Sequence, residues 1–143
     1  MHREPATVAD KEYFRLLNEL SYRDVVTRQF GDWDDDLQTH NFNLKWQDQV
    51  YEKLFDGDTL VGGIWVEEFA DNIQILEIQI HPEHRGRGVG TMILKQEIKR
   101  ASDTGKNLRL RVLLLNRAKS LYARLGFVEI GRDKTHYYME YRT

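Results

Sequence analysis

Residues 78–90 are Ile78-Gln79-Ile80-His81-Pro82-Glu83-His84-Arg85-Gly86-Arg87-Gly88-Val89-Gly90, an apolar strand that runs into a glycine-rich loop and then a helix. Glycines let the backbone approach a ligand closely, and a helix start presents unpaired N–H groups at the positive end of the helix dipole. This combination favours an anion, and phosphate above all. The arginines of the loop add cationic donors.

The glycine spacing excludes two common nucleotide-binding motifs. A Walker loop needs G-x-x-x-x-G-K-[ST], which the sequence does not contain. A dinucleotide fingerprint counted from Gly86 and Gly88 needs a third glycine where the chain has Thr91. What the loop does contain is R-x-x-G-x-G, formed by Arg85, Gly88 and Gly90, after a strand that ends at a proline turn.

The chain before the loop predicts two helices and then three strands. Asp32 to Asp36 offers caps for the second helix, after Gly31 has ended the first. Tight turns separate the strands, so they predict an antiparallel meander whose third member is a central strand covered on both faces. The apolar stripe of the first helix is Phe14, Leu16, Leu17 and Leu20, and the strands are Val50 to Phe55, Thr59 to Glu68 and Ile73 to Ile80.

The chain after the loop continues with alternating elements. We expect a helix from about Gly88 to Ala101, a strand from Leu108 to Leu115, a short helix from Asn116 to Gly126, and two final strands, Phe127 to Ile130 and His136 to Tyr141, on either side of Gly131. This order predicts a mixed α/β (α+β) fold around one sheet. With 143 residues and no linker or repeat, residues 1–143 are expected to form a single domain.

A second block strengthens the interpretation of the loop. Residues 116–127 are Asn116-Arg117-Ala118-Lys119-Ser120-Leu121-Tyr122-Ala123-Arg124-Leu125-Gly126-Phe127. Together, and in this order, the two blocks resemble the GNAT superfamily of acyl-CoA N-acyltransferases. The resemblance extends from about Val50 to Tyr141, whereas residues 1–49 match only in being helical. It implies a GNAT-like fold in which the meander leads to a splayed central pair of strands with flanking helices.

The resemblance also implies acetyl-CoA as cosubstrate. In the family, the loop amides hold the CoA pyrophosphate, and the pantetheine arm pairs with the backbone of the splayed strand. The apolar side chains of Ile78 and Ile80 are then expected in the core. Asn116 is expected to bond the pantetheine arm, although it also suits a helix cap. The implied cofactor-binding residues are Ile78, Gln79, Ile80, Arg85, Gly86, Arg87, Gly88, Val89, Gly90, Thr91, Asn116 and Tyr122.

Two side chains are candidates for proton transfer in this reaction. By the resemblance, Tyr122 is the general acid that serves the leaving thiolate. A thiol with a pKa of about 8.5 and a tyrosine with a pKa near 10 suit that exchange. Glu77 is the acid within the predicted strand 73–80, where an unpaired buried charge would be costly, so it is the candidate base. The alternatives are a packed tyrosine and a salt bridge from Glu77 to a neighbouring strand.

The acceptor is expected to be an amine bound near the first two helices. Carboxylates beside an indole can attract a cation, which makes Asp32, Trp33 and Asp34 candidate substrate-binding residues. Helix capping is the alternative for the same acids. Gln74, a polar residue of the third strand, is a further candidate that could position the acceptor or a water molecule.

Composition excludes several other classes. The chain has no cysteine, so disulfides, a cysteinyl acyl-enzyme and Cys-ligated zinc are ruled out. No spacing of His, Asp and Glu suggests a metal site. A net charge of −2 argues against nucleic-acid binding through Arg85, Arg87, Lys95, Lys99 and Arg100. With no apolar run of membrane-spanning length, we expect a cytoplasmic protein without a membrane partner, and a homodimer stays open.

The function predicted from the sequence is acetyl-CoA-dependent N-acetyl transfer to a primary amine, by direct transfer in a ternary complex. The alternative is a non-catalytic acyl-CoA-binding or regulatory module on the same fold. The sequence leaves the identity of the amine open, since small polyamines, aminoglycosides, amino acids, peptide N-termini and protein lysines all qualify.

Overall fold

The structure is a computed structural model and describes residues 1–46 and 50–143. The predicted strand from Val50 begins at Glu52, because Val50 and Tyr51 lie in a turn. Within the described residues, the elements in chain order are β1 (His2–Pro5), α1 (Lys11–Phe30), α2 (Asp35–Lys45), β2 (Glu52–Asp56), β3 (Thr59–Glu68), β4 (Asn72–Ile80), α3 (Val89–Thr104), β5 (Asn107–Leu113), α4 (Ala118–Leu125), β6 (Val128–Arg132) and β7 (His136–Tyr141).

The strands form a seven-stranded mixed sheet in the order β1-β2-β3-β4-β5-β7-β6. Strands β4 and β5 are parallel, whereas β1 with β2, β2 with β3, β5 with β7 and β6 with β7 are antiparallel. The mixed α/β fold predicted from the sequence, with a central fourth strand reached from β2 and β3, is therefore confirmed.

No helix within residues 1–46 and 50–143 is long and apolar enough to span a bilayer.

The chain divides into two compact units, and the first comprises residues 1–65 and 77–87. Its core is an aromatic cluster in which the rings of Phe14 and Tyr51 lie 4.8 Å apart. Phe14 also packs directly on β3, since a Cβ on Gly63 would lie 2.2 Å from its ring. The cluster holds α1 and α2 against the sheet and consists of Ala6, Phe14, Leu17, Phe42 and Tyr51, with Tyr13, Trp46 and Trp65 packed around it.

The second unit comprises residues 66–76 and 88–143. Helix α3 contributes Ile93, Leu94 and Ala101 to its core, at spacings that place them on one helix face. Helix α4 ends at Gly126, whose φ of +107° is left-handed, as predicted for a glycine just after a helix. The organisation of residues 1–143 as one domain stays a prediction.

Helix α1 ends just before Gly31, as predicted, but its buried face differs from the sequence prediction. It continues to Phe30, supported by exposed ion pairs one turn apart such as Arg23 with Glu19 at 2.6 Å. The predicted apolar stripe is partly wrong, because Leu16 and Leu20 are about half exposed. The buried positions are Phe14, Leu17, Asn18 and Val25, so a polar residue belongs to the face that meets the sheet.

Two strands also differ from the prediction. Strand β1 was not expected, because His2-Arg3-Glu4-Pro5 lacks apolar alternation; it is ordered by antiparallel pairing with β2 and by the hydrogen bond from the Ala6 amide to the Tyr51 carbonyl. Gly131 lies inside β6 rather than between two strands. The register between β6 and β7 shifts from Glu129 to Gly131, which lets the strand continue to Arg132.

The approach of β3 to β4 depends on Gly62. A Cβ at this position would lie 2.1 Å from the carbonyl oxygen of Gln79, so Gly62→Ala requires the backbone to move. We expect this substitution to lower the free energy of unfolding by about 2 to 3 kcal/mol, measured by urea denaturation. Gly131→Ala is the matched control, since a Cβ there meets only the Tyr138 side chain at 3.9 Å. Equal stability of the two variants would contradict the close approach.

Candidate functional site

The loop between β4 and α3 has the predicted order of strand, glycine-rich loop and helix. Gly86 and Gly88 have φ values of +76° and +78°, a left-handed conformation that favours glycine. Neither would bring a Cβ within 4 Å of another heavy atom, so the backbone at both positions is accessible. Gly88 caps α3, which begins at Val89 without an acidic residue in its first turn. The positive end of the helix dipole is therefore not neutralised locally.

Arg85 holds the first part of this loop in place. Its Nε donates to the carbonyl of Ile80 at 3.1 Å, and its Nη2 lies 3.5 Å from the carbonyl of Leu20 in α1. The predicted cationic donor is thus exposed, but it also ties the end of β4 to α1. Its role toward phosphate stays a prediction.

The parallel ladder between β4 and β5 is short. It runs from the pair Asn72–Asn107 to the pair Ile75–Leu110, and no further pair of described residues belongs to it, although β4 continues to Ile80. Ile78, Gln79 and Ile80 follow the last pair. Their backbone groups are the ones that the resemblance assigned to a pantetheine arm.

The side chains at the end of β4 differ from the prediction. Ile78 and Ile80 are half-buried rather than core residues, whereas Gln79 is only 3% exposed. The reason is the alternation of a strand, which places Glu77 and Gln79 on the same face. The partners of these two side chains lie on α1 and α2, so the polar residues face the helices.

Glu77 lies at the centre of a polar cluster in the first unit. Its Oε2 accepts hydrogen bonds from the Tyr22 hydroxyl at 2.5 Å and from Gln79 Nε2 at 3.4 Å, while Lys45 Nζ lies 2.9 Å from Oε1. The side chain is only 11% exposed, so these partners offset the cost of burying the charge. The expected salt bridge is real, but its cation comes from the end of α2, not from a neighbouring strand.

Tyr51 belongs to the aromatic core of the same unit. Burial raises the pKa of its hydroxyl far above the ordinary value, and the negative charge of Glu77 adds to the effect. Tyr51 therefore stays protonated throughout the physiological pH range.

A cavity of about 240 Å³ lies between α1 and α2. It connects to Glu77 through hydrogen bonds, because Asn18 lines the cavity and accepts from Gln79 Nε2 at 3.3 Å. The cavity combines two carboxylates, a guanidinium and an indole. Its lining residues are Arg15, Asn18, Glu19, Trp33, Asp35, Gln38, Thr39 and Phe42.

The acidic segment before α2 has the capping role considered from the sequence, and its Trp33 also lines the cavity. Asp34 is the N-cap of α2, and its Oδ1 accepts from the Leu37 amide at 3.0 Å. Trp33 lines the cavity and donates through Nε1 to Asp35 at 2.9 Å. Of the predicted substrate-binding residues Asp32, Trp33 and Asp34, the cavity lining includes only Trp33. Its carboxylates come from Asp35, which belongs to the acidic segment Asp32 to Asp36 considered from the sequence, and from Glu19, which the sequence analysis did not single out.

The remaining predicted residues belong to the second unit. The Oδ1 of Asn116 accepts from the Ala118 amide at 2.9 Å, so it bonds the first residue of α4, although the N-cap position itself is Arg117. Tyr122 is 8% exposed, and its ring lies 5.9 Å from that of Phe127. Gln74 is half-buried at the register position opposite Arg109 of β5.

Comparison with known proteins agrees with the fold and with the loop. Residues 47–129 match the family model of the acetyltransferase (GNAT) domain. A bovine thialysine N-epsilon-acetyltransferase is 46% identical over 57 residues, which are 38% of this chain and 34% of that protein. The [ribosomal protein bS18]-alanine N-acetyltransferase of Haemophilus influenzae is 29% identical over 86 residues, 59% of each chain. The match thus spans about a third and about three fifths of these two relatives.

Solved structures extend the similarity to the whole fold. The PaiA N-acetyltransferase of Thermoplasma acidophilum, in complex with coenzyme A, has a TM-score of 0.78 at 19% identity, with all of both chains covered. The ribosomal-protein-S18-alanine N-acetyltransferase of Escherichia coli has a TM-score of 0.66 at 18% identity and covers 98% of this chain and 92% of its own. At these identities the likeness establishes the fold.

The capping role of Asp34 has a direct test in stability. Asp34→Ala removes the hydrogen bond to the first turn of α2, so we expect the free energy of unfolding to fall by about 1 kcal/mol. Asp34→Ser should retain most of the stability, because serine is also a good cap. Asp32→Ala is the matched control in the same acidic segment and should change stability by less than about 0.5 kcal/mol. Equal losses for Asp32→Ala and Asp34→Ala would contradict the assignment.

Proposed function

The chain belongs to the GNAT acetyltransferase family, and from that premise we propose that it transfers the acetyl group of acetyl-CoA directly to a primary amine in a ternary complex. The observation that carries the proposal is the polar cluster around Glu77, which provides a carboxylate on the same strand as the backbone groups proposed to bind the cofactor. We place this activity in the cytoplasm, with neither nucleic acid nor membrane as partner.

The loop and the end of β4 form the proposed cofactor site. The amides of residues 86–91, at the start of α3, would hold the pyrophosphate, with Arg85 and Arg87 as cationic donors. The backbone of Ile78, Gln79 and Ile80 would pair with the pantetheine arm, as the end of the β4–β5 ladder at Ile75 supports. Asn116 would bond the same arm, although its Oδ1 already accepts from a backbone amide. The group that acetyl-CoA supplies is a thioester carbonyl open to attack by an amine.

Glu77 is the proposed general base. A primary amine with a pKa near 10.4 is almost fully protonated at pH 7, and losing that proton costs roughly 4.6 kcal/mol. A carboxylate within hydrogen-bond reach can accept it directly or through water. Tyr22 and Gln79 hold the Oε2 of Glu77, so Oε1 is the oxygen that faces a cation. Tyr122 is the proposed acid for the leaving thiolate.

The cavity between α1 and α2 supports a cationic acceptor. Glu19 and Asp35 supply carboxylates, which lie beside the guanidinium groups of Arg15 and Arg23, and an indole such as that of Trp33 suits an ammonium group. Asp32 and Asp34 would add to the negative potential at the cavity entrance rather than contact the amine. Gln74 stays a proposed acceptor-positioning residue. The names of the two curated relatives, which refer to thialysine and to the alanine of ribosomal protein bS18, fit an amine acceptor.

Cofactor binding can be tested with two glycines that cap the same helix. Gly88→Ala places a Cβ where the loop requires a left-handed backbone next to the proposed pyrophosphate, so we expect the affinity for acetyl-CoA to fall at least tenfold in calorimetry. Gly105→Ala is the matched control, because Gly105 ends α3 with a φ of +67° and an equally open surrounding. Its affinity should equal that of the wild type. Absence of acetyl-CoA binding by the wild type, or equal binding by both variants, would contradict the proposal.

Turnover tests the two proton-transfer roles. Glu77→Gln keeps the shape of the side chain but removes the base, so we expect kcat to fall about 10²- to 10⁴-fold at pH 7 in a thiol-release assay with an amine panel. The deficit should narrow as the pH rises, because more of the amine is then deprotonated in solution. Tyr122→Phe should lower kcat as well.

Tyr141→Phe is the control for Tyr122→Phe, because the Tyr141 ring also packs on Phe127, at 5.7 Å. It should leave kcat within twofold of the wild type. A protein that binds acetyl-CoA without turnover of any amine would instead indicate the non-catalytic acyl-CoA-binding module.

A further inference from the structure

Lys45 occupies the place that the proposed mechanism reserves for the acceptor amine. It is the last residue of α2, and its Nζ lies 2.9 Å from Oε1 of Glu77. A general base must lie within about 2.6 to 3.2 Å of the nitrogen that it deprotonates, or act through one water molecule. The Lys45 ammonium already meets this condition, and Glu77 has no cation closer among the described residues.

We propose that Lys45 is itself an acetyl acceptor of this protein, so that the enzyme acetylates its own side chain. This inference rests on the proposed function. The Lys45 side chain is 41% exposed, which leaves its ammonium accessible to a thioester, whereas Glu77 is 11% exposed and fixed by Tyr22 and Gln79. Because Lys45 is attached to the end of α2, its reaction is intramolecular and has the high effective concentration of a tethered group.

The reaction balances without any further reagent. Glu77 accepts one proton from the Lys45 ammonium and passes it to solvent. The free amine attacks the carbonyl carbon of acetyl-CoA, a C–N bond forms, and the C–S bond breaks. The second proton lost by the nitrogen ends on the sulfur of CoA. The products are Nε-acetyl-lysine at position 45, CoA with a free thiol, and one proton.

Acetylation would change the cluster that holds Glu77. The modified side chain has no positive charge, so the carboxylate loses its cation and keeps the hydrogen bonds from Tyr22 and Gln79. A soluble amine would then meet Glu77 without competition from a tethered lysine. Self-acetylation would therefore modify the part of the proposed site in which Glu77 meets the acceptor amine.

The test is incubation of the purified protein with acetyl-CoA and no added amine, followed by intact mass measurement and peptide mapping. We expect one acetyl group at Lys45, at a rate per molecule that does not depend on protein concentration. Lys45→Arg should abolish this acetylation, and Glu77→Gln should slow it at least tenfold. Circular dichroism of both variants checks that they are folded.

Lys99 is the matched internal control for non-enzymatic acetylation of lysine by acetyl-CoA. It is paired with Asp103 at 2.7 Å, and its side chain is 75% exposed, so simple chemical acetylation should reach it at least as fast as Lys45. Acetylation of Lys45 no faster than that of Lys99, or unaffected by Glu77→Gln, would overturn the inference.

A parallel reaction with an added amine separates the inference from the proposed function. Transfer to the amine while Lys45 stays unmodified would overturn self-acetylation and leave the proposed function intact. Failure to transfer to Lys45 and to every amine of the panel would overturn both.

Discussion

The structure of the first unit depends on a nearly buried carboxylate. Glu77 lies on the central strand β4, is 11% exposed, and would be costly to bury without partners. Its partners come from three elements: Tyr22 from α1, Lys45 from the end of α2, and Gln79 from β4 itself. The carboxylate therefore links both helices to the strand, beside the aromatic cluster that packs the same helices on the sheet.

The proposed mechanism uses the same arrangement for proton transfer. Neutral donors hold one oxygen of the carboxylate, and the ammonium on the other oxygen shows that an amine nitrogen can come within hydrogen-bond distance of it. The cavity lined by Glu19, Trp33 and Asp35 connects to it through Asn18 and Gln79. On the same strand, the backbone at Ile78 to Ile80 follows the last pair of the ladder with β5, and the glycine-rich loop comes next. The proposed acceptor site and the proposed cofactor site thus both include residues of β4.

Local sequence signals predicted the fold better than the site. Local sequence patterns were enough to recognise the glycine-rich loop, the helix end at Gly126 and the periodicity of the strands. Strand β1 could not be recognised in this way, because it forms only through pairing with β2. Glu77 was recognisable as a charge in an apolar strand, but its partners are 32 and 55 residues away. The sequence did contain a signal for these partners that was missed. Asn18 and Tyr22 are four residues apart and therefore lie on one face of α1, and Glu77 and Gln79 are two residues apart and lie on one face of β4. The two polar pairs face each other.

The most direct test of this account is a crystal structure with an unreactive analogue of acetyl-CoA, in which the distance from the thioester carbonyl carbon to the Lys45 nitrogen can be measured. The account predicts that the carbonyl lies beside Glu77, with an amine nitrogen on Oε1 about 3 to 3.5 Å from the carbonyl carbon. An analogue bound with its acetyl group away from the Glu77 face of β4 would contradict the central claim that this carboxylate receives the proton of the acceptor.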